Sequence, residues 1–281
     1  SFNEQKHIGK LMDGIRKQTI YENIEVILVD SGSSDNTVEI AKDKGASVVT
    51  IRPEDFSFGR ALNIGCEKAS GKYLLFASAH IYPVYNNWIE KMIAPFESKK
   101  VALVYGRQIG NEVTKYSEHQ IFKKWFPAES NFNQAHPFCN NANAVIRKEL
   151  WEKQQFDESL TGLEDLDWAT KIQKAGFQIA YQADAPIVHV HEEPISKIKN
   201  RYQREAIALH RIIPKQRFNF FDFIRLSLAN IMSDSFHAMH EGVYWKSIRN
   251  IILFRTMQFW GTYQGFRTKG NITEQLRQRF Y

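Results

Sequence analysis

Apolar positions along the first two thirds of the chain alternate between a helical and a strand-like period. In "HIGKLMDGI", Ile8, Leu11, Met12 and Ile15 recur at helical spacing, and "IEVILVD" (24–30) is a short β-branched run ending on Asp30. "SGSSDNT" reads as a turn rich in N-cap residues and predicts a helix over Val38–Lys44. Strand-like runs return at "SVVTIR" (47–52), "KYLLFASA" (72–79) and "VALVYGRQI" (101–109), with helical patterns at "GRALNIGCEKAS" (59–70) and "NNWIEKMIAPF" (86–96). This rhythm predicts an α/β fold, Rossmann-like, with a mainly parallel sheet and helices on both faces. Residues 1–3 read as the end of a first strand whose body is expected upstream of Ser1. From about Phe218 only helical spacing remains, rich in Phe, Trp, Met and Arg, so an α/β domain over 1–195 is expected to precede a helical subdomain over 196–281.

Composition narrows the setting. A chain of 281 residues that is 43% hydrophobic can bury a sizeable core. Two cysteines, Cys66 and Cys139, make no disulfide framework and suit a reducing compartment. No apolar run approaches the ~20 residues of a membrane span and no signal peptide is visible, so a cytoplasmic protein is expected. The net charge of +6 is unevenly placed: 195–281 holds 15 Lys+Arg against 5 Asp+Glu. That basic, aromatic-rich third is expected either to be ordinary core and surface or to make peripheral contact with anionic membrane on its inner face. Nucleic acid is set aside, since no recognition motif accompanies the charge. Oligomeric state is left open.

In an open α/β sheet, ligands gather at the C-terminal ends of the strands. Those ends carry Glu4, Asp30 with its turn, and Ser78-Ala79-His80; "TGLEDLDW" (161–168) and "HVHEE" (189–193) come later. Asp30 can accept hydrogen bonds from a nucleobase or ribose. Gly59 would let backbone approach a diphosphate, and Arg60 can pair with its charge or be a solvated helix residue. His189 and His191, two apart on a strand, would share one face.

Taken in order, "SFNE", "VDSGSSDNT", "GRALNIGCEKASGKYLLF", the "SAH" position and "GLEDLDWATKIQKAGF" resemble the family 2 glycosyltransferases of GT-A fold over about residues 1–191. "FGRALNIG", "NNANAVIRKELW" and "HVH" look most like rhamnosyltransferase-like enzymes of bacterial cell-surface polysaccharides. The resemblance implies an inverting transfer from a nucleotide-sugar donor to a hydroxyl of a surface polysaccharide or lipid-linked glycan. It puts Phe2, Glu4 and Asp30 at the base and Gly59, Arg60, Ser78 and His80 near the diphosphate. Asn141 and Trp168 fall on the acceptor side, Asp165 is the general base, and Glu164 contacts the acceptor or orients the loop. Apart from the family, Glu164 and Asp165 are simply two acids favoured at a helix N-terminus.

One position departs from the family pattern. Where two acids one residue apart normally hold a divalent cation (Mn²⁺ or Mg²⁺) on the diphosphate, the chain reads Ser78-Ala79-His80. Three readings stand open. A cation binds through His80, His189 and His191; or His80, Arg60 and basic C-terminal residues stabilise the leaving diphosphate without metal; or the site is inactive. Two rival functions follow, a silent glycan- or membrane-binding module and a sugar nucleotidyltransferase, though "SFNEQKHIGK" lacks the latter's Gly-rich phosphate loop.

Overall fold

The structure, a computed structural model, describes residues 1–268. Lys269–Tyr281, the end of the expected helical subdomain, lies outside the described residues. The chain divides into two compact units, one of residues 1–111, 122–160 and 164–190, the other of 112–121, 161–163 and 191 onward.

The first unit begins with α1 (Ile8–Arg16), whose Ile8, Leu11, Met12 and Ile15 are all buried, as their spacing predicts. β1 (Ile27–Asp30) and β2 (Ser47–Thr50), joined through α2 (Thr37–Asp43), pair in parallel as a sheet of two. α3 (Phe58–Lys68) starts at Ser57, whose Oγ accepts from Arg60 N. β3 (Tyr73–Ala77) turns directly into β4 (Ile81–Pro83), and α4 (Trp88–Ile93) leads to β5 (Val101–Ile109). α5 (Tyr116–Trp125), whose residues 116–121 belong to the second unit, is followed by β6 (Asn143–Arg147), α6 (Lys148–Trp151), α7 (Glu164–Lys174) and β7 (Gln178–His189).

The central sheet has the order β3-β6-β5-β7-β4. Only β5 and β7 pair in parallel; β3–β6, β5–β6 and β4–β7 are antiparallel. The α/β architecture is the expected one, with a mixed sheet in place of a mainly parallel one. The reason is local. β6 follows an irregular stretch, 126–142, that re-enters the sheet from the end at which β5 left it. The turn 78–80, the start of β6 and the end of β7 therefore meet at one end of the sheet, with Ala77 opposite Asn143 and Ile81 opposite His189. Alternate residues of β5, β6 and β7 feed two buried clusters: Leu103, Ile146 and Ile179 on one face, Val104, Val145 and Ala180 on the other.

In the second unit, α8 (Ile195–Ile212), α9 (Phe220–His240) and α10 (Tyr244–Arg267) are all helical, as the spacing predicts. α10 lies so close to α8 that a methyl group at Gly261 would run into Lys199 O, and one at Gly265 would stand 2.5 Å from Gln203 O. Between α9 and α10, Asp234 and Arg255 form a buried two-pronged ion pair at 2.7 and 2.9 Å.

Candidate active site

At the C-terminal end of β1 two short segments are stitched together. Asn3 takes Ser34 N on its Oδ1 and donates its own N–H to Ser33 Oγ, both at 2.9 Å; Glu4 N donates to Thr37 Oγ1 at 2.7 Å. Asn3 has φ of 53°, a left-handed backbone that asparagine tolerates better than most residues. Asp30 anchors the turn: its Oδ2 accepts from Gly32 N and Ser33 N, and its Oδ1 from Ser33 Oγ and Ser1 Oγ. Burial opposes its charge, but these hydrogen bonds prevail and hold its carboxyl below the usual range. Phe2 is half exposed beside this turn.

Glu4 also reaches the turn after β3, where its Oε1 accepts from His80 Nδ1 at 2.8 Å. The His80 ring stacks on His189 with centroids 5.1 Å apart, and ring nitrogens of the two lie within 4.8 Å. The His189 tautomer follows from its partners. Asn140 Oδ1 accepts Ala142 N at 3.0 Å, so the group facing it, Gln108 Nε2 at 2.9 Å, is the amide nitrogen of Gln108. Gln108 Oε1 is then an acceptor, and His189 donates Nδ1–H to it at 2.7 Å. The lone pair of His189 lies on Nε2, and a carboxylate sets the same arrangement in His80. An imidazole held by an oxygen acceptor at Nδ1 and presenting Nε2 is the form that ligates a metal ion. These residues fit a divalent cation.

In the second unit His191 repeats the pattern, its Nδ1 on Glu118 Oε1 at 2.7 Å, with Arg201 Nη2 on the same oxygen. Burial works against Glu118, yet His191 and Arg201 hold its carboxyl down at about 2. The strand expected to carry both His189 and His191 ends at His189.

The paired acids open α7. Glu164 and Asp165 are both buried, and the loop before β6 supplies their donors: Asn141 N to Asp165 Oδ2 at 3.1 Å and Asn141 Nδ2 to Glu164 Oε1 at 3.5 Å. Burial, then the neighbouring Glu164, pushes the Asp165 carboxyl up to about 7. Asn141 Oδ1 is buried with no hydrogen-bond partner. Residues 140–142 thus join three parts of one site. Asn140 holds the Gln108–His189 chain, Asn141 the acids, and Ala142 O accepts Ser78 N at 3.4 Å.

Some expectations fall elsewhere. Trp168 presents no face to a sugar: it is fully buried in the core and its indole N–H is spent on Gln154 O. Four residues into α7 from Glu164, it lies on the helix's inward side. Gly59 makes room for the chain itself, since a methyl there would stand 2.6 Å from Asp157 O. The Arg60 side chain is exposed on α3. Gln108 and Asn140 were not singled out by sequence, although Gln108 sits at the C-terminal end of β5, where the strand-end rule applies. The exposed Trp125 was also missed; it stacks on the partly buried Phe138, an aromatic the sequence did offer for sugar stacking, at 4.6 Å.

Residues 1–154 match the family model described as Glycosyl transferase family 2. The chain is 29% identical to the O-antigen chain rhamnosyltransferase RfbN of Salmonella typhimurium over 194 residues, 64% of this chain and 61% of that protein. It is 26% identical to the O-antigen chain rhamnosyltransferase WbaN of Salmonella anatum over 179 residues, 59% of this chain and 56% of that one. It thus spans about three fifths of the length of these curated relatives. Among solved structures, the mannosyltransferase PcManGT from Pyrobaculum calidifontis, in complex with GDP-Man and Mn²⁺, is similar with a TM-score of 0.63 at 17% identity, covering 94% of this chain and 84% of that one. TarS 1–349 of S. aureus in complex with UDP is similar with a TM-score of 0.54 at 17% identity, over 94% and 89%. At such identity these structures speak for the GT-A fold.

Proposed function

Because the chain belongs to glycosyl transferase family 2, we propose that it transfers a sugar, with inversion, from a nucleotide-sugar donor to a hydroxyl of a surface polysaccharide or lipid-linked glycan at the inner face of the membrane. The carrying observation is the buried Glu164–Asp165 pair with its raised Asp165 carboxyl. Asp165 takes the proton of the acceptor hydroxyl as that oxygen attacks the anomeric carbon, and the bond to the donor diphosphate breaks on the opposite side. A base whose pKa lies near neutrality is matched to that task. Asn141 holds both acids from one side, and its unpartnered Oδ1 suits an acceptor hydroxyl. The stitched segments at Phe2, Glu4 and Asp30 suit the nucleotide; Asp30 shapes the turn, its oxygens being taken up by the loop. Ser78 and Arg60 suit the diphosphate end.

His80 and His189 would hold a divalent cation through Nε2, with Glu4 and Gln108 orienting the rings. Such an ion supplies positive charge to the diphosphate that leaves. Nitrogen donors tolerate Mn²⁺ better than Mg²⁺.

The test is turnover of a panel of nucleotide sugars with glycan and lipid-linked acceptors, Asp165→Asn serving as control. Transfer that falls about 10²–10⁴-fold in the variant is the expected result. Donor binding without turnover of any donor would overturn the reading.

A further inference from the structure

α9 buries one side and leaves an apolar stripe on the other. Ser227, Asp234 and Ala238 face inward and are buried. Outward, Phe221, Leu228, Met232, Phe236 and Met239 follow one another at helical spacing and stay exposed, Met232 by 70%. A soluble surface rarely leaves a stripe of large apolar side chains, about five turns long, open to water. Trp245, at the start of α10, extends the apolar surface and is 88% exposed.

The charges around the stripe are basic. Lys215 and Arg217 stand exposed in the connection just before α9, Arg225 lies within the stripe, and Lys246 and Arg249 are exposed on the first turns of α10. The nearby acids are engaged: Asp222 caps α9 and faces Arg225, and Glu241 accepts from Tyr116 OH. Long apolar side chains bracketed by lysine and arginine, with an aromatic residue at the margin, match the layered chemistry of a bilayer surface. Acyl chains take the apolar stripe, anionic headgroups the cations, and the interfacial layer the indole. No helix among the described residues is long and apolar enough to cross a membrane.

We propose that this face of α9, with the first turns of α10, lies in the surface of an anionic lipid bilayer. The lipid-linked acceptor gives the surface its purpose, and to that extent the inference rests on the function proposed above. Lipid binding is measured without donor or acceptor, so either reading can fail alone.

The experiment is co-sedimentation of the full chain with phosphatidylglycerol–phosphatidylcholine vesicles, against phosphatidylcholine alone, at low and high salt. The expected result is binding to the anionic vesicles that weakens with salt. It should fall about tenfold or more in Leu228→Ser/Met232→Ser/Phe236→Ser and likewise in Lys246→Glu/Arg249→Glu. These side chains are exposed, and an unchanged melting curve shows that each variant folds. A wild-type chain that stays in the supernatant with anionic vesicles overturns the proposal. So does a dimer, seen in solution without lipid, that the triple variant converts to monomer, since the stripe would then belong to a second copy. Binding unaffected by the triple variant but lost in Arg277→Glu/Arg279→Glu overturns it as well, by placing the contact in the C-terminal tail.

Discussion

His189 donates its Nδ1 proton to Gln108 Oε1 at 2.7 Å, and Gln108 is itself oriented by Asn140. A backbone amide, Ala142 N, fixes the far end of this chain, so the lone pair on His189 Nε2 is set by groups that cannot reverse.

Breaking the chain should weaken cation binding. Gln108→Leu removes the acceptor under His189 and is expected to lower Mn²⁺ affinity about 10–100-fold. Gln108→Glu, which keeps an acceptor there, should recover much of it. Calorimetric titration of Mn²⁺ in the presence of a nucleoside diphosphate reads both, and equal affinity in all three proteins would dissociate Gln108 from the cation.

The rate should rise with pH. The proposed base, Asp165, would act only when ionised, and its carboxyl is raised to about 7, so kcat/KM is expected to climb through neutrality. The neighbouring Glu164 is the second cause of that shift, after burial. Glu164→Gln should therefore move the limb toward lower pH. A limb that stays in place would separate the two acids.

Stability should respond with the opposite sign. The Asp165 pKa is raised above its unfolded value of 3.8, so the folded state holds a proton there that the unfolded state gives up. The associated stability is complete below about pH 4 and lost as pH rises through about 7. Asp165→Asn removes this dependence. The melting temperature of the variant relative to wild type should thus increase between pH 4 and 8, and a constant difference would refute the raised pKa.

In the second unit, Asp234→Ala leaves Arg255 buried without its partner and should cost about 3–5 kcal/mol in chemical denaturation. Replacing both residues with methionine should recover most of that loss. A double variant as unstable as the single one would show that the helices pack poorly there for another reason.

Much of the fold could be read from the sequence. The burial of Ile8, Leu11, Met12 and Ile15 on α1 follows from spacing alone, and so does the helical character of the chain after Phe218. The direction of β6 could not be read, because the irregular segment before it has no periodicity to announce where the chain turns back. At the site, the acids of "GLEDLDW" and the histidine of "FASAH" stood out by residue type and position. Trp168 was misplaced because an aromatic beside paired acids looks alike in sequence whether it faces a sugar or the core; only the helix's orientation decides. Gln108 and Asn140 went unnoticed because an amide gains its role from a partner 32 positions away.

Burial has sealed both sulfurs. Cys66 and Cys139 are the chain's two cysteines and both are buried as free thiols. Burial pushes the Cys66 thiol up to about 12, and burial together with Asp165 and Glu164 raises Cys139 well above its usual range. At neutral pH neither offers an appreciable thiolate, so neither competes for an alkylating reagent. The native sequence is therefore a silent background for labelling. A cysteine introduced at Met232 or Trp245 would be the reactive sulfhydryl, ready to carry a fluorophore whose quenching reports how deep that position lies in lipid.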